Sequence, residues 1–447
     1  MGKSLIIAEK PSVAGDIAKA LGGLTQDKSK EFYESEKYVV SSAVGHLLTI
    51  AVPEEFEVKR GKWTFANLPV IPPHFDLLPI EKNEARLKVL TKLIKRKDVT
   101  ALVNACDAGR EGELIFRYIV QYAKSPKPIQ RLWLQSMTPA AIRDGFAHLR
   151  TDTEMMPLAD AATCRSESDW LIGINGTRAM TAFNSKTGGF HLTTVGRVQT
   201  PTLAILVERE ERIKKFRPRG YSEVHGTFAA QAGEYVGRWF DEKFKKEESE
   251  IDRTKRLLTS LRLDLPDAPK RLEAANGTLE DEHRQAIRLW HQEIAEAIKT
   301  KCLGKPCIVT EESKPTTSLS PMLYDLTTLQ REANGRFGFS AKNTLGLAQA
   351  LYEKHKVLTY PRTDSRALPE DYINTVKDTL KMLDGVTGYS TYADSILKNG
   401  WVRPNKRIFN NAKVSDHFAI IPTLISPKAL SEPEQKLYDL VTKRFLA

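Results

Sequence analysis

Cysteine is scarce in this sequence of 447 residues, where Cys106, Cys164, Cys302 and Cys307 are the whole complement. They are too few and too scattered for a disulfide framework, and none forms the C-x-x-C pair of a zinc ribbon, so no structural zinc is expected. No apolar run approaches the roughly 18 residues needed to cross a bilayer. The opening stretch, Met1-Gly2-Lys3-Ser4-Leu5-Ile6-Ile7, lacks the apolar core and cleavage site of a signal peptide. No membrane partner is expected, and the expected location is the cytoplasm. Gly2-Lys3-Ser4 also lacks the glycine-rich loop that precedes G-K-S in a nucleotide-binding P-loop, which argues against ATP dependence. Internal repeats and low-complexity segments are absent as well.

What is present suits a soluble globular chain of several domains. Hydrophobic residues make up 41% and charged residues 28% of the sequence, and a length of about 100–200 residues per domain implies three or four units. The 67 basic residues outnumber the 56 acidic ones, for a net charge of +11. That excess favours a polyanionic partner without specifying one.

Residues 4–8 form a short apolar run, expected as a buried strand. Pro11 and then Val13, Ile17 and Leu21 mark a helix that Gly22-Gly23 should stop. Leu87, Leu90 and Ile94 mark a second helix, residues 99–105 a second buried strand, and residues 114–120 a helix that opens after an acidic cluster at 107–113. Two strands that end in acidic residues and feed helices predict a parallel α/β sheet whose functional edge lies at the strand C-termini. From about 151 the pattern is helical. Thr200-Pro201 is expected as the N-cap and first-turn proline of a helix through Leu203, Leu206, Val207 and Ile213. Residues 221–240 alternate as strands would. The charge-dense stretch 241–284 is expected as a solvated surface insertion, and Ile287, Trp290, Ile294 and Ile298 restore a helical core stripe.

Two stretches carry chemistry. In Leu358-Thr359-Tyr360-Pro361-Arg362-Thr363-Asp364-Ser365-Arg366 an arginine stands two residues after a tyrosine. A free phenol, with a pKa of about 10, is a poor nucleophile; attack on phosphorus needs a cation such as Arg362 to steady the phenolate and the phosphate. A turn built on Pro361 explains the same local sequence. In Asp107-Ala108-Gly109-Arg110-Glu111-Gly112-Glu113, carboxylates at a strand end suit Mg²⁺, which needs only one or two of them. Glu9 would stand beside Asp107 if the two strands are neighbours. Acids in a first helical turn, complementing the dipole, are the alternative.

Together, IAEKPS at 7–12, DAGREGE at 107–113, GRVQTPTL at 196–203, LTYPRTDS at 358–365 and HFAIIPT at 417–423 resemble the type IA DNA topoisomerases in sequence and order, most nearly the bacterial topoisomerase III members. Supporting stretches at GHLL 45–48, LPVIPPHF 68–75, DWLIGINGTRAM 169–180 and LYDLTTLQREAN 323–334 spread the resemblance over nearly the whole chain.

The resemblance implies ATP-independent, Mg²⁺-dependent cleavage of one DNA strand, followed by strand passage and religation, as in relaxation or decatenation. Tyr360 would be the nucleophile that keeps the 5′-phosphate, with Arg362 and Lys10 on the scissile phosphate. Glu9 would act as general acid or metal ligand, Asp107 and Glu111 would hold Mg²⁺, and His417 would approach the same site. A packed histidine at a helix end is the alternative for His417. Gly196, Arg197, Val198, Gln199, Thr200 and Pro201 would contact DNA, against the plainer reading of a well-capped helix. Trp63, Trp170 and Arg178 would line a single-strand groove, although a core role suits Trp170 equally. Gly109 departs from relatives that carry aspartate there, which leaves metal stoichiometry open.

The implied fold class is multi-domain α/β plus α: a Toprim-type α/β domain with a parallel sheet, helical domains and a β-rich hinge domain, in an incomplete toroid. The expected divisions are a metal-binding domain at 1–150, the first part of a helical DNA-binding domain at 151–218 and the first part of the hinge at 219–284. The tyrosine-bearing domain would follow at 285–436, with a return towards the hinge at 437–447. Because relatives continue further, this chain is expected to bind and cleave DNA but to relax it poorly. The expected partner is single-stranded or underwound DNA, acted on by a monomer associated with nucleoid or plasmid; a helicase partner is left open. Two other readings are a Toprim-type nuclease or primase that does not need Tyr360, and a non-catalytic DNA-binding remnant.

Overall fold

The computed structural model describes residues 2–52, 63–218, 220–264 and 285–447. The chain divides into two compact units, Met1–Arg197 with Thr317–Ala447, and Val198–Thr316.

The first unit opens with strand β1 (Lys3–Ala8) and helix α1 (Pro11–Leu21), which ends at Gly22 in a positive-φ conformation that glycine adopts readily. Strands β2 (Thr25–Gln26), β3 (Phe32–Glu34) and β4 (Tyr38–Ser42) follow. A small antiparallel pair, β5 (Leu48–Ile50) with β6 (Leu77–Pro79), precedes helix α2 (Glu84–Ile94), strand β7 (Val99–Ala105) and helix α3 (Arg110–Ala123). Then come β8 (Ile129–Arg131), α4 (Pro139–Ala147), β9 (Arg150–Thr151) and the long helix α5 (Asp152–Asn184), whose start is fixed by a capping box between Thr151 and Glu154.

The main sheet runs β2-β3-β4-β1-β7-β8-β9. Its centre is parallel, with β1 between β4 and β7 and β7 beside β8, while the edge pairings are antiparallel. Alternate residues of β1 enter different cores. Leu5 and Ile7 pack with the buried leucines of α2 and with Phe116 and Ile119 of α3. Ile6 and Ala8 pack with Ile17 of α1 and Ile142 of α4. Burial on both faces explains the unbroken apolar run at 4–8.

Helix α3 begins at Arg110, earlier than the apolar pattern alone indicates, so Glu111 and Glu113 occupy its first turn. Glu113 is 1% exposed and accepts hydrogen bonds from Asn104 and Arg117. Behind the end of β7, the fully buried Arg131 donates to the carbonyls of Asn104 (3.1 Å), Cys106 (2.7 Å) and Asp107 (2.6 Å). Its Nε lies 3.4 Å from Glu113. One guanidinium thus fixes the backbone that aims Asp107.

The C-terminal part of this unit is helical, with α9 (Leu326–Phe337), α10 (Ala341–Glu353), α11 (Ile373–Asp384), α12 (Ser390–Lys398) and α13 (Glu432–Leu446). Leu329, Leu351, Leu380, Leu437 and Tyr438 share one core with Leu358 and Ile420. Residues 437–447 continue α13, and Leu437, Tyr438, Leu440 and Val441 are buried within that core.

The second unit contains α6 (Gln199–Lys215), the hairpin β10 (His225–Ala230) and β11 (Gly233–Arg238), α7 (Glu250–Leu261) and α8 (Gln292–Cys302). Three sequence expectations change here. The N-cap of α6 is Val198, because Thr202 already donates to the Val198 carbonyl at 3.1 Å. Thr200 and Pro201 therefore lie inside the first turn, where proline's missing N–H costs nothing. Helix α8 starts at Gln292, so Ile287 and Trp290 precede it. The charged stretch from 241 is not simply a solvated insertion. Arg253 is 2% exposed and pairs with Asp241 (2.9 Å) and Glu250 (3.0 Å) while donating to the carbonyls of Ala286 and Arg288. The remainder of that stretch, 265–284, lies outside the described residues.

Replacing Arg131 with Met would remove a donor from three carbonyls and the ion-pair partner of the buried Glu113. Breaking a buried charge pair of this kind costs about 3–5 kcal/mol, and urea unfolding of the variant should show a loss of that order.

Candidate active site

Strands β1 and β7 pair in register from Ser4 with Ala101 to Ala8 with Ala105. Both chains leave the sheet at the same edge, and the next residues include Glu9 and Lys10 on one side and Asp107 on the other. Lys10 Nζ donates to Asp107 Oδ2 at 2.8 Å and stands 3.8 Å from Glu9 Oε1. His417 Nε2 is 3.2 Å from the same Asp107 oxygen. Both side-chain nitrogens thus converge on Asp107, and among the described residues Glu9 Oε2 is buried without a hydrogen-bond partner.

The two acids consequently ionise differently. Burial raises the pKa of Asp107, but hydrogen bonds and charges from His417 and Lys10 outweigh it and hold the carboxyl at about 2. Glu9 is pushed above the ordinary glutamate value by burial and by the charge of Asp107, against smaller opposing effects of Lys10 and His417. Burial disfavours the charged form of Lys10, yet Asp107 and Glu9 raise its pKa overall.

Tyr360 reaches this cluster from the segment after α10. Leu358 bridges to Pro422. Thr359 bonds to Ile421 through its N–H (3.0 Å) and to the Ala419 carbonyl through its hydroxyl (3.0 Å), and Thr363 Oγ1 donates to the His417 carbonyl (3.1 Å). These ties hold the tyrosine segment against the strand-like segment after His417. The rings of Tyr360 and His417 lie 4.2 Å apart at 50°, and Lys10 Nζ is 4.1 Å from the Tyr360 ring centre. Burial raises the phenol's pKa, and Asp107 adds to this, against Lys10 and Arg362. The phenol therefore keeps its proton at rest. Arg362 is exposed and donates to Gln349 of α10 at 3.2 Å.

Glu111 is turned aside, with Oε2 3.0 Å from His46 Nε2. Among the described residues, no group of three or more His, Cys, Asp or Glu side chains is gathered to hold a metal ion.

The aromatic candidates form separate contacts. Trp63 meets Phe190 edge-on at 5.8 Å and lies 5.7 Å from the guanidinium of the buried Arg178. Trp170 meets Phe75 at 5.7 Å and 89°. Arg197 pairs with Asp169 at 2.9 Å, beside Gly196. Val198, Gln199, Thr200 and Pro201 lie exposed at the start of α6 in the second unit.

Four neighbours of the site escaped the sequence reading: His46, Gln349, Tyr352, whose ring meets Tyr360 at 5.3 Å, and Asp416. His46 had a signal, since GHLL was noted as a motif. Gln349 and Tyr352 look like ordinary residues of an amphipathic helix.

The chain matches a family model described as DNA topoisomerase over residues 153–447 and the Toprim domain over residues 4–137. It is 40% identical to DNA topoisomerase 3 of Bacillus licheniformis over 451 residues, covering 100% of this chain and 55% of that protein. It is 41% identical to DNA topoisomerase 3 of Bacillus subtilis, with the same coverage of 100% and 55%. The chain thus spans about half the length of these curated relatives. A solved structure of full-length topoisomerase I from Thermotoga maritima shares the fold at a TM-score of 0.52 and 21% identity, over 99% of this chain and 60% of that one. Among the described residues no helix is long and apolar enough to cross a membrane.

Because Asp107 is held at about 2 rather than 3.8, its ionisation stabilises the fold above about pH 3.8, and that contribution is lost as the pH falls through about 2. Lys10→Gln removes one of the groups responsible. Acid unfolding followed by circular dichroism should then begin at a higher pH than in the parent chain; an unchanged midpoint would show that Lys10 does not hold Asp107 ionised.

Proposed function

Since the chain belongs to the type IA DNA topoisomerase family, we propose that it cleaves one strand of single-stranded or underwound DNA through Tyr360 and can reseal it without ATP. The observation that carries this reading is the meeting of the Tyr360 ring, Lys10 and His417 at the paired acids Glu9 and Asp107.

In the cleavage step the Tyr360 phenolic oxygen attacks the scissile phosphorus and its proton passes to water. The bond from phosphorus to the 3′-oxygen breaks, and a 5′-phosphotyrosyl bond takes its place. The departing 3′-oxygen accepts a proton from Glu9, whose raised pKa keeps the carboxyl protonated to higher pH than an ordinary glutamate. Arg362 and Lys10 neutralise charge on the phosphate. Lys10 is already beside the phenol ring, and Arg362 needs only to exchange its exposed bond to Gln349 for one to phosphate. Religation reverses these transfers, and the phosphotyrosyl bond conserves the energy needed for it.

Mg²⁺ fits the residues present. Asp107 stays ionised, the orphaned Glu9 Oε2 offers a buried acceptor, and Mg²⁺ completes its shell with waters and phosphate oxygens when only one or two carboxylates are available. Asp107 would hold it, with Glu9 joining when ionised and Glu111 an added ligand once released from His46. When bound, the ion would supply charge neutralisation beside the scissile phosphate. Trp63 and Trp170 offer aromatic faces for bases, with Arg178 beside Trp63, and Arg197 and Gln199 offer phosphate donors. Strand passage, a preference for relaxation or decatenation, monomeric action, a helicase partner and a cytoplasmic site belong to the same proposal as the family's general pattern.

The test is incubation with Mg²⁺ and a 3′-end-labelled single-stranded oligonucleotide, followed by denaturation. Label should remain on the protein in the parent chain and be absent from Tyr360→Phe, while Glu9→Gln should form the adduct at least about 100-fold more slowly. Cleavage without attached label in both parent and Tyr360→Phe would replace this reading with a Toprim-type nuclease.

A further inference from the structure

No shared apolar core seats Tyr360 over the acids. The core around Leu358 and Ile420 draws its members from residues 323–446, and the two cores that flank the sheet draw theirs from residues 5–162. Among the described residues no side chain belongs to both sets. Polar contacts join the sheet edge to the tyrosine-bearing part instead.

Two of these lie in the site itself, where His417 meets Asp107 and Lys10 meets the Tyr360 ring. A second group stands outside the acid cluster, on the segment that follows β8. Ser136 Oγ and Thr138 Oγ1 both donate to Asp371 Oδ2, at 2.8 and 2.9 Å. Gln135 Nε2 donates to the Val414 carbonyl at 2.6 Å. Both hydroxyls are fixed for this task. Ser136 is 8% exposed and accepts from the Thr138 N–H at 3.4 Å, while Thr138 caps α4 by accepting from the Ala141 N–H at 3.3 Å. Bonds to a carboxylate are stronger than those between neutral groups.

Short, tied segments connect these anchors to the chemistry on both sides. Gln135 comes four residues after Arg131, whose guanidinium holds the Asp107 carbonyl. Val414 stands three residues before His417, and Asp371 eleven after Tyr360. Between Tyr360 and Asp371 the chain is bonded at Thr363 to the His417 carbonyl, at Ser365 to the Lys413 carbonyl and at Leu368 to Ile408 and Asn410. Where the two parts meet, Asp416 fills the space beside Gly109, at which a Cβ would fall 2.3 Å from its Oδ2.

We propose that Asp371, through Ser136 and Thr138, is a positioning residue for cleavage: it seats the tyrosine-bearing part on the sheet edge so that Tyr360 stands over Lys10. This rests on the cleavage reading above. Asp371 takes no part in the bond changes and acts by setting the fraction of molecules in which the site is assembled.

The test uses the full 447-residue chain and two readouts: the rate of Tyr360 adduct formation at saturating oligonucleotide, and amide hydrogen exchange without DNA in residues 107–110, on which Asp416 and His417 rest. Asp371→Ala should slow the adduct about tenfold or more, with little change in the oligonucleotide concentration that gives half the maximal rate. Exchange at 107–110 should quicken about threefold or more, while exchange in β1 and β7 stays that of the parent. Asp371→Asn keeps an acceptor oxygen and should recover most of the rate. Ser136→Ala should act in the same direction, and combined with Asp371→Ala should cost less than the two effects multiplied. Should Asp371→Ala fail to fold, Ser136→Ala carries both readouts. A parent-like adduct rate, unchanged exchange at 107–110, or independent effects of the two substitutions would overturn the proposal. Absence of an adduct from the parent chain would overturn the cleavage reading and the positioning role with it, while quickened exchange in Asp371→Ala would still uphold the seating contact.

Discussion

Residues Leu5 to Ala8 of β1 lie in parallel beside Leu102 to Ala105 of β7, and the chemistry of the site depends on that register. Two strands buried on both faces end at the same edge, so their next side chains meet where the sheet gives way to solvent. Here those side chains are two carboxylates. Like charges held this close do not ionise equally. The asymmetry is set by partners: Lys10 and His417 both bond Asp107, and Glu9 is left with an orphaned oxygen. One acid is fixed as an anion and the other is biased to keep its proton.

Tyr360 depends on a second set of constraints. Tyr360 is held by hydrogen bonds between its own segment and residues 417–421, which place its ring beside that of His417. Burial opposes ionisation of its phenol, and Asp107 adds to this. Lys10 is matched to Asp107 and Arg362 to Gln349; under the proposed cleavage a phosphate would compete for both, which would couple reactivity to occupancy of the site.

Much of this was legible in the sequence, for stated reasons. The apolar runs at 4–8 and 99–105 could hardly be anything but buried strands, and the strand at 99–105 has the bounds observed for β7. Acids immediately after both runs pointed to the sheet edge. Elsewhere, periodicity misled where another interaction prevailed. The early start of α3 follows from Gly109 N-capping the helix ahead of any apolar residue. The charges from 241 onward look solvated in sequence, yet Arg253 buries itself among Asp241, Glu250 and backbone carbonyls that lie far along the chain. Asp416 was invisible for the same reason. Its relation to Gly109 is a contact between distant segments, and no local pattern encodes it.

The most direct test of this account is the order in which the two acids titrate, read by isotope-edited infrared spectroscopy with ¹³C-labelled carboxyl groups assigned through Glu9→Gln and Asp107→Asn. Asp107 should remain ionised until the pH approaches about 2, with Glu9 still protonated above the ordinary glutamate value of 4.5. Glu9 ionising before Asp107, or both titrating together in the ordinary carboxylate range, would contradict the division of roles on which the mechanism rests.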